Sequence, residues 1–171
     1  CLAGSSLTHQ QEIATMTEPT PAAKQFSIQK LYLKDASFES PGAPHSFSFT
    51  KWDPTIELNL TNNHKHIDGD IFEAVLCLTA TINLEEKTAF LIEVQFAGLF
   101  AISGCDDAEQ KYLLGSQAMT VLFPYVREVV SDLTTRGGFP PLILSPVNFD
   151  ALYHQHLQQK GSAAVEAEAT H

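Results

Sequence analysis

The sequence has few basic residues. Lysine and arginine together number 10 among 171 residues, against 20 aspartates and glutamates, and the formal net charge is −10 at pH 7. Such a charge repels phosphate backbones and anionic lipid headgroups, which argues against binding of nucleic acids or membrane surfaces through a broad basic field. The same charge favours contact with a basic partner.

Cysteine is also scarce, with Cys1, Cys77 and Cys105 as its three occurrences. An odd number at wide spacings, without a CxxC pair, gives neither a disulfide framework nor a zinc site and indicates a reducing compartment. Cys77 lies in the apolar segment 72–78, where a thiol usually acts as a small core residue.

Motifs of nucleotide and ester chemistry are missing as well. The sequence holds no glycine-rich phosphate loop and no nucleophile elbow, and no apolar stretch reaches the length of a membrane span. A metal site could be drawn from His64, His66, Asp68 and Asp70, since alternate residues of an extended segment share a side. A solvated polar turn explains the same residues, so a hydrolytic or metal-dependent enzyme using His64 stays open only as an alternative.

Both ends of the chain are polar. Residues 1–25 are expected to form a disordered segment and residues 161–171 a flexible tail. A chain beginning at Cys1 would suit a lipid-anchored protein, but Met16, followed by Thr-Glu-Pro, has the character of a natural start. We therefore expect residues 1–15 to be an upstream remnant and the folded domain to span residues 26–160.

Period-two alternation in the first half of the domain predicts strands. Apolar residues fall on even positions of four segments, which are 26–39, 56–60, 72–84 and 88–95. In the first segment Tyr32 shares this face, whereas Leu31 and Leu33 are predicted on the opposite face. Residues 62–70 predict a turn region, and Glu85-Glu86 a charged hairpin turn. Short connections between consecutive strands predict an antiparallel meander.

The second half changes to a helical period. Apolar residues recur every three or four positions over residues 114–133, with Pro124 expected to kink or interrupt the helix and Gly137-Gly138 to end it. The proline-rich segment 139–147 predicts an extended crossover connection, and Asn148 a cap for a short last helix. Strands followed by helices predict an α+β fold.

Apolar residues exceed what one face of a sheet can bury. Leu31, Leu33, Val75, Cys77 and Leu91 are predicted opposite the main apolar stripe, and the long helix is apolar on more than one side. Either an unusually thick core or an oligomeric or binding surface would cover them, and the pattern alone leaves both open.

Four separated segments carry a specific resemblance. They are residues 26–41 (FSIQKLYLKDASFESP), 122–128 (LFPYVRE), 136–140 (RGGFP) and 146–153 (PVNFDALY). In order and spacing they are similar to the SecB family of protein-export chaperones, and the resemblance covers nearly all of residues 26–160.

The resemblance implies a cytoplasmic chaperone that needs no ATP or other cofactor and catalyses no reaction. It implies a homotetramer, a dimer of dimers, that holds precursor proteins unfolded and delivers them to the translocation ATPase SecA, without binding nucleic acid or inserting into the membrane. Three residues of the fourth strand are expected to face the helices and the oligomer interface: Ile92, Val94 and Phe96.

The family's unfolded clients lie in apolar grooves between the sheet, the proline-rich connection and the last helix. The residues placed there by the resemblance are Trp52, Leu58, Phe139, Leu142, Leu144, Phe149 and Leu152. Apolar walls accept many side chains, which suits extended peptides of diverse sequence. An ordinary core position is the alternative for each residue.

The family's SecA-docking surface maps onto Asp35 and Glu39 of the first strand and onto Leu91 and Glu93 of the fourth. All four fall on odd positions, which the alternation independently predicts on the face opposite the main apolar stripe. A SecB-like chaperone that guards an antitoxin or another aggregation-prone client is the alternative function. The four docking residues favour export, because a solitary chaperone need not keep a site for SecA.

Overall fold

Alternating apolar residues build one antiparallel sheet of four strands in the order β1-β4-β3-β2. The computed structural model describes residues 23–48 and 51–168. The strands are β1 (Gln25–Glu39), β2 (Thr55–Asp68), β3 (Ile71–Leu84) and β4 (Lys87–Ser103). The predicted upstream remnant over residues 1–15 lies outside the described residues, whereas Lys24 pairs with Glu109 just before β1 begins.

The helices follow the sheet, as predicted. Helix α1 (Asp107–Tyr112) leads through a π-helical turn (Leu113–Gln117) into the long helix α2 (Ala118–Arg136), and helix α3 (Phe149–Glu168) ends the described chain. No helix in this part of the chain is both long and apolar enough to cross a bilayer.

One face of the sheet, called here the inner face, packs against α2. Even-numbered residues of the two central strands are fully buried there, among them Leu78 and Ile82 of β3 and Ile92 of β4. From the helix, Met119 and Leu122 are equally buried. Apolar burial of this kind contributes about 25 cal/mol per Å², so this layer holds the fold together.

Two β-bulges in β1 change the predicted alternation. The register with β4 skips Gln29 and Lys34, so Leu31 lies opposite Gly98 and Leu33 opposite Phe96, both on the inner face. The prediction that Leu31 and Leu33 face away from the apolar stripe is therefore wrong, and Tyr32 lies on the outer face instead. Each bulge adds one residue to the strand and exchanges the faces of the residues beyond it.

Strands β2 and β4 are longer than predicted. Residues 62–68, polar except for Ile67, continue β2, and the turn comprises only Gly69 and Asp70, so the broad turn region is a wrong prediction. Between β3 and β4, Glu85 and Glu86 form the predicted tight turn with φ of 50° and 65°. Such positive φ values are those of the two-residue turns that match the twist of a hairpin.

Helix α2 runs through Pro124 unbroken, so the prediction that Pro124 interrupts the helix is wrong. The α-helical pattern changes earlier, at the π-helical turn. Gly137 ends α2 and Gly138 takes φ 83°, a conformation that favours glycine. Residues 140–148 then form an extended connection without strand pairing. Asn148 caps α3 by accepting a 3.0 Å hydrogen bond from the Ala151 amide, and the helix is longer than the short one predicted.

Candidate binding surfaces

An aromatic cluster lies at one end of the inner face. The ring of Phe139 is 4.6 Å from Phe90, 5.1 Å from Phe47 and 5.9 Å from Trp52, measured between centroids. Phe38 of β1 completes it. Phe90 and Phe139 are buried, whereas Phe47 is 52% and Trp52 40% exposed. The cluster therefore has a buried floor and an open rim.

The apolar surface continues from this rim along β2. Ile56 and Leu58 lie on the inner face, opposite Ile82 and Ala80 of β3, yet they are 44% and 45% exposed. Helix α2 packs on β4 and β3, so the edge strand β2 projects beyond its cover. Uncovered aliphatic side chains beside an aromatic cluster can contact an extended apolar segment of another chain.

The predicted groove residues divide into two groups. Trp52, Leu58 and Leu152 are exposed, and Leu142 is half-buried with its amide donating to Thr134 Oγ1 at 3.0 Å. Phe139, Leu144 and Phe149 are buried in the core of the chain itself, at 4–7% exposure. Three exposed residues that the sequence analysis missed are Phe47, Ile56 and Ile143.

Helix α3 is held by its first turns on the π-helical turn. Ser116 Oγ donates to Asp150 at 2.7 Å, and the ring of Tyr153 lies so close to Gly115 that a Cβ there would come within 2.8 Å of it. Hydrogen bonds from Tyr112 and then Ser116 hold the pKa of Asp150 below its ordinary value. Phe149 packs edge-on against Phe123 of α2, with the ring centroids 5.5 Å apart.

The four residues predicted as a docking surface share the outer face, opposite α2. Glu39 lies directly across from Leu91, and Glu93 lies between Ser37 of β1 and Thr79 of β3. Asp35, Glu39 and Glu93 are exposed, and Leu91 is half-buried. In the described part of the chain none of the three carboxylates has an ion-pair partner. The result is an open acidic patch with an apolar member.

A second polar group on the outer face surrounds Glu73 of β3, a residue that the sequence analysis counted only as part of an apolar segment. Glu73 is 6% exposed and accepts hydrogen bonds from the Tyr32 hydroxyl and, at 3.0 Å, from Lys34 Nζ. Lys65 Nζ of β2 lies 3.2 Å from the same carboxylate. Burial alone would raise the pKa of Glu73, but the hydrogen bonds from Tyr32, Lys34 and Lys65 outweigh it and lower the pKa to about 2.

The predicted interface residues sit at and beneath α2. Ile92 and Val94 are fully buried in the core, and Phe96 stacks on Tyr125 of α2 with 5.2 Å between ring centroids. Tyr125 is 43% and Leu33 of β1 48% exposed, and Leu33 lies opposite Phe96. Apolar surface is therefore open where the edge strand β1 meets the long helix.

The histidine-rich segment lies on the exposed end of β2. His66 Nε2 is 2.7 Å from the carbonyl oxygen of Gly69, and its ring contacts Phe72. Among the described residues, no group of three or more His, Cys, Asp or Glu side chains is arranged to hold a metal ion. Cys77 is half-buried on the outer face, not in the core, and burial raises the pKa of its thiol.

Comparison with known proteins identifies relatives along most of the chain. Residues 19–160 match the family described as preprotein translocase subunit SecB. The protein-export protein SecB of Nitrosococcus oceani is 51% identical over 148 residues, which are 86% of this chain and 90% of that protein. The protein of the same name from Methylococcus capsulatus is 50% identical over 144 residues, 84% of this chain and 92% of the relative.

A solved structure shares the fold. It is a SecB-like chaperone of Mycobacterium tuberculosis in complex with a peptide from an antitoxin, with a TM-score of 0.62 and 23% identity, covering 71% of this chain and 90% of that one. Because the family model matches most of the chain and curated relatives are about half-identical in sequence, this chain belongs to the SecB family of protein-export chaperones.

Proposed function

We propose that this protein holds precursor proteins unfolded, without ATP, and delivers them to the translocation ATPase SecA. Exposure of Trp52, Ile56 and Leu58 beside the buried floor of the aromatic cluster is the observation that carries the proposal. A folded client keeps its apolar residues inside, so this surface selects chains that have not yet folded.

The groove can bind client segments of many different sequences. Its rim combines rings with aliphatic side chains, which accept many apolar residues. Strand β2 is an edge of the sheet, so its outward backbone groups are free to pair with an extended client segment whatever that segment's side chains are. Leu142 and Leu152 extend the apolar wall along the connection and α3, and the buried Phe139, Leu144 and Phe149 support it from below.

The working particle in this proposal is a homotetramer, a dimer of dimers. Leu33 and Tyr125 give each copy an exposed apolar surface at the β1 edge and on α2, and Phe96 supports it by stacking on Tyr125. Ile92 and Val94 contribute by holding α2 on the sheet. Association would bury these apolar groups and bring the grooves of four chains within reach of one client.

Delivery uses the opposite side of the sheet. Asp35, Glu39 and Glu93 form an unpaired acidic patch around Leu91, which fits a basic surface of SecA with an apolar contact at its centre. Because groove and patch lie on opposite faces, the chaperone can bind a client and SecA together. Contact through exposed carboxylates would weaken as salt rises.

The deciding experiment offers the protein a reduced, permanently unfolded protein and the native form of the same protein, without nucleotide. Light scattering reports the mass of each complex. A tetramer that takes up only the unfolded form is the expected result. A monomer indifferent to unfolded chains would overturn the proposal.

Guarding an antitoxin is the second candidate, since the structural relative from Mycobacterium tuberculosis is bound to a peptide of an antitoxin. The acidic patch on the outer face favours export. Titration with SecA separates the two, because a dedicated guard would bind its client but not SecA.

A further inference from the structure

The outer face carries two sets of charges, one beside the other. The first is the acidic patch of Asp35, Glu39 and Glu93 around Leu91, which no cation in the described chain neutralises. The second is the group around Glu73, which we call the Glu73 cluster: Tyr32 and Lys34 from β1, Lys65 from β2 and Glu73 from β3. Both sets face the same side of the sheet.

Lys34 connects the two sets. It is the extra residue of the second bulge in β1, and Asp35 of the acidic patch follows it directly. Its ammonium group nevertheless binds both carboxylate oxygens of Glu73 at 3.0 Å. Glu73 is the better partner because its carboxylate is nearly buried, so its charge is screened far less than that of the exposed Asp35.

Lys65 approaches the same carboxylate from the other edge of the sheet. Lys34 and Lys65 thus reach the Glu73 carboxylate from the two edge strands of the sheet, and the Tyr32 hydroxyl also donates a hydrogen bond to it. No buried side-chain polar atom in the described chain lacks a hydrogen-bond partner.

We propose that Glu73 is a specificity-determining residue for docking of the basic partner: it sequesters Lys34 and Lys65 so that the neighbouring acidic patch keeps its full negative charge. The inference rests on the proposed docking of SecA to the outer face. Glu73 touches no partner in this scheme; it acts through the two lysines.

The test measures SecA affinity of the whole chaperone at low salt, with Glu73→Gln as the first variant. The amide keeps the size of the side chain but raises the net charge of the Glu73 cluster from +1 to +2 beside the patch. We expect affinity to fall roughly three- to fivefold, the upper part of the range that one partly exposed charge gives, and the difference to shrink as salt is added.

A pair of matched double variants locates the effect. One variant combines Glu73→Gln with Lys34→Gln, and the other combines Glu73→Gln with Lys65→Gln. Both return the Glu73 cluster to its original net charge. We expect the Lys34 variant to recover most of the affinity, because Lys34 adjoins Asp35, and the Lys65 variant to recover less. Equal recovery, or none, would overturn the proposal.

Tyr32→Phe controls for a purely structural role. It removes a partly buried hydrogen bond without changing any charge, so thermal stability should fall while SecA affinity stays within twofold of the original. If SecA affinity falls in proportion to thermal stability across all variants, the role of Glu73 is only to stabilise the sheet. If Glu73→Gln does not fold, Lys34→Gln alone decides: an affinity gain above threefold would show that Lys34 was never sequestered.

The two proposals fail differently. Absence of SecA binding by the unaltered protein would refute docking on the outer face and the role of Glu73 with it. Normal binding by the unaltered protein and an unchanged affinity of Glu73→Gln would refute only the role of Glu73.

Discussion

The indole of Trp52 lies nearly parallel to the ring of Phe90, with 6.4 Å between centroids and 8° between planes, although Phe90 is fully buried and Trp52 is 40% exposed. Phe90 thus belongs to the core, and Trp52 lies at the surface. Trp52 is the only tryptophan of the sequence, so its fluorescence reports on the rim of the groove alone.

Client binding should therefore change that fluorescence. Saturation with an unfolded client that contains no tryptophan should shift the emission to shorter wavelengths, because the exposed part of the indole leaves water. Titration gives the affinity, which Trp52→Ala should reduce by roughly tenfold if the indole is an anchor of the groove. An emission unchanged at saturation would place the client elsewhere.

Leu58 allows a test of the β2 wall. Leu58→Asp puts a charge where the client needs an apolar contact, and we expect client affinity to fall by about tenfold to a hundredfold, since burial of a leucine contributes about 1.5–3 kcal/mol. Ile67→Asp is the matched control, because Ile67 lies on the same strand with 47% exposure, close to the 45% of Leu58. Similar losses in both variants would argue against a defined groove.

Removal of two carboxylates should separate docking from client binding. With Asp35→Ala and Glu93→Ala together, SecA affinity should fall by at least tenfold at low salt, while affinity for an unfolded client stays near normal. Asp70→Ala with Asp107→Ala removes the same charge from exposed positions away from the patch and should leave docking intact. Parallel loss of both activities in the first variant would show that the face assignment is wrong.

Assembly should depend on the long helix. Tyr125→Asp places a carboxylate on the exposed apolar surface beside Phe96, and we expect the tetramer to dissociate into smaller particles. Light scattering measures the mass, and circular dichroism checks that each chain stays folded. Ile67→Asp serves again as the control, and its mass should not change.

Glu73 should give the protein a defined acid sensitivity. Its pKa is lowered to about 2 in the folded chain from an ordinary 4.5, so the folded state gains stability above pH 4.5 and loses it progressively as the pH falls toward 2. Urea unfolding between pH 7 and pH 3 measures this loss. In Glu73→Gln stability should be lower at pH 7 and fall less over the same range; an identical slope would contradict the low pKa.

Sequence alternation predicts the inner faces of the two central strands well, because the even side chains of β3 from Leu76 to Leu84 and those of β4 from Phe90 to Val94 meet the same apolar layer. It fails in β1, where the bulges fall on Gln29 and Lys34, ordinary surface residues that leave no mark in a hydrophobic pattern. It also fails beyond Leu60 of β2. That end of the strand is exposed on both faces, and backbone pairing with β3 holds it there whatever its side chains are.

The sites show the same division. The resemblance supplies groove residues, but only the placement of α2 and the connection decides that Trp52 and Leu58 are exposed while Leu144 and Phe149 are not. The contacts of Glu73 could not be predicted from the sequence, because its partners come from β1 and β2 and only the register of the sheet brings them to it.

The tight turn at Glu85 and Glu86 has a consequence for how such a protein can change over time. Neighbouring residues of β4 face opposite sides of the sheet, Leu91 and Glu93 outside and Ile92 and Val94 inside, so the length of this turn, together with the bulge at Ala89, sets the side that each residue faces. Insertion of a single residue in the turn, with the bulge at Ala89 unchanged, would bury a carboxylate beneath α2 and turn valine and isoleucine toward the outer face. Insertion of two residues would return each side chain to its original side of the sheet. We therefore expect related sequences to differ in the length of this turn by an even number of residues.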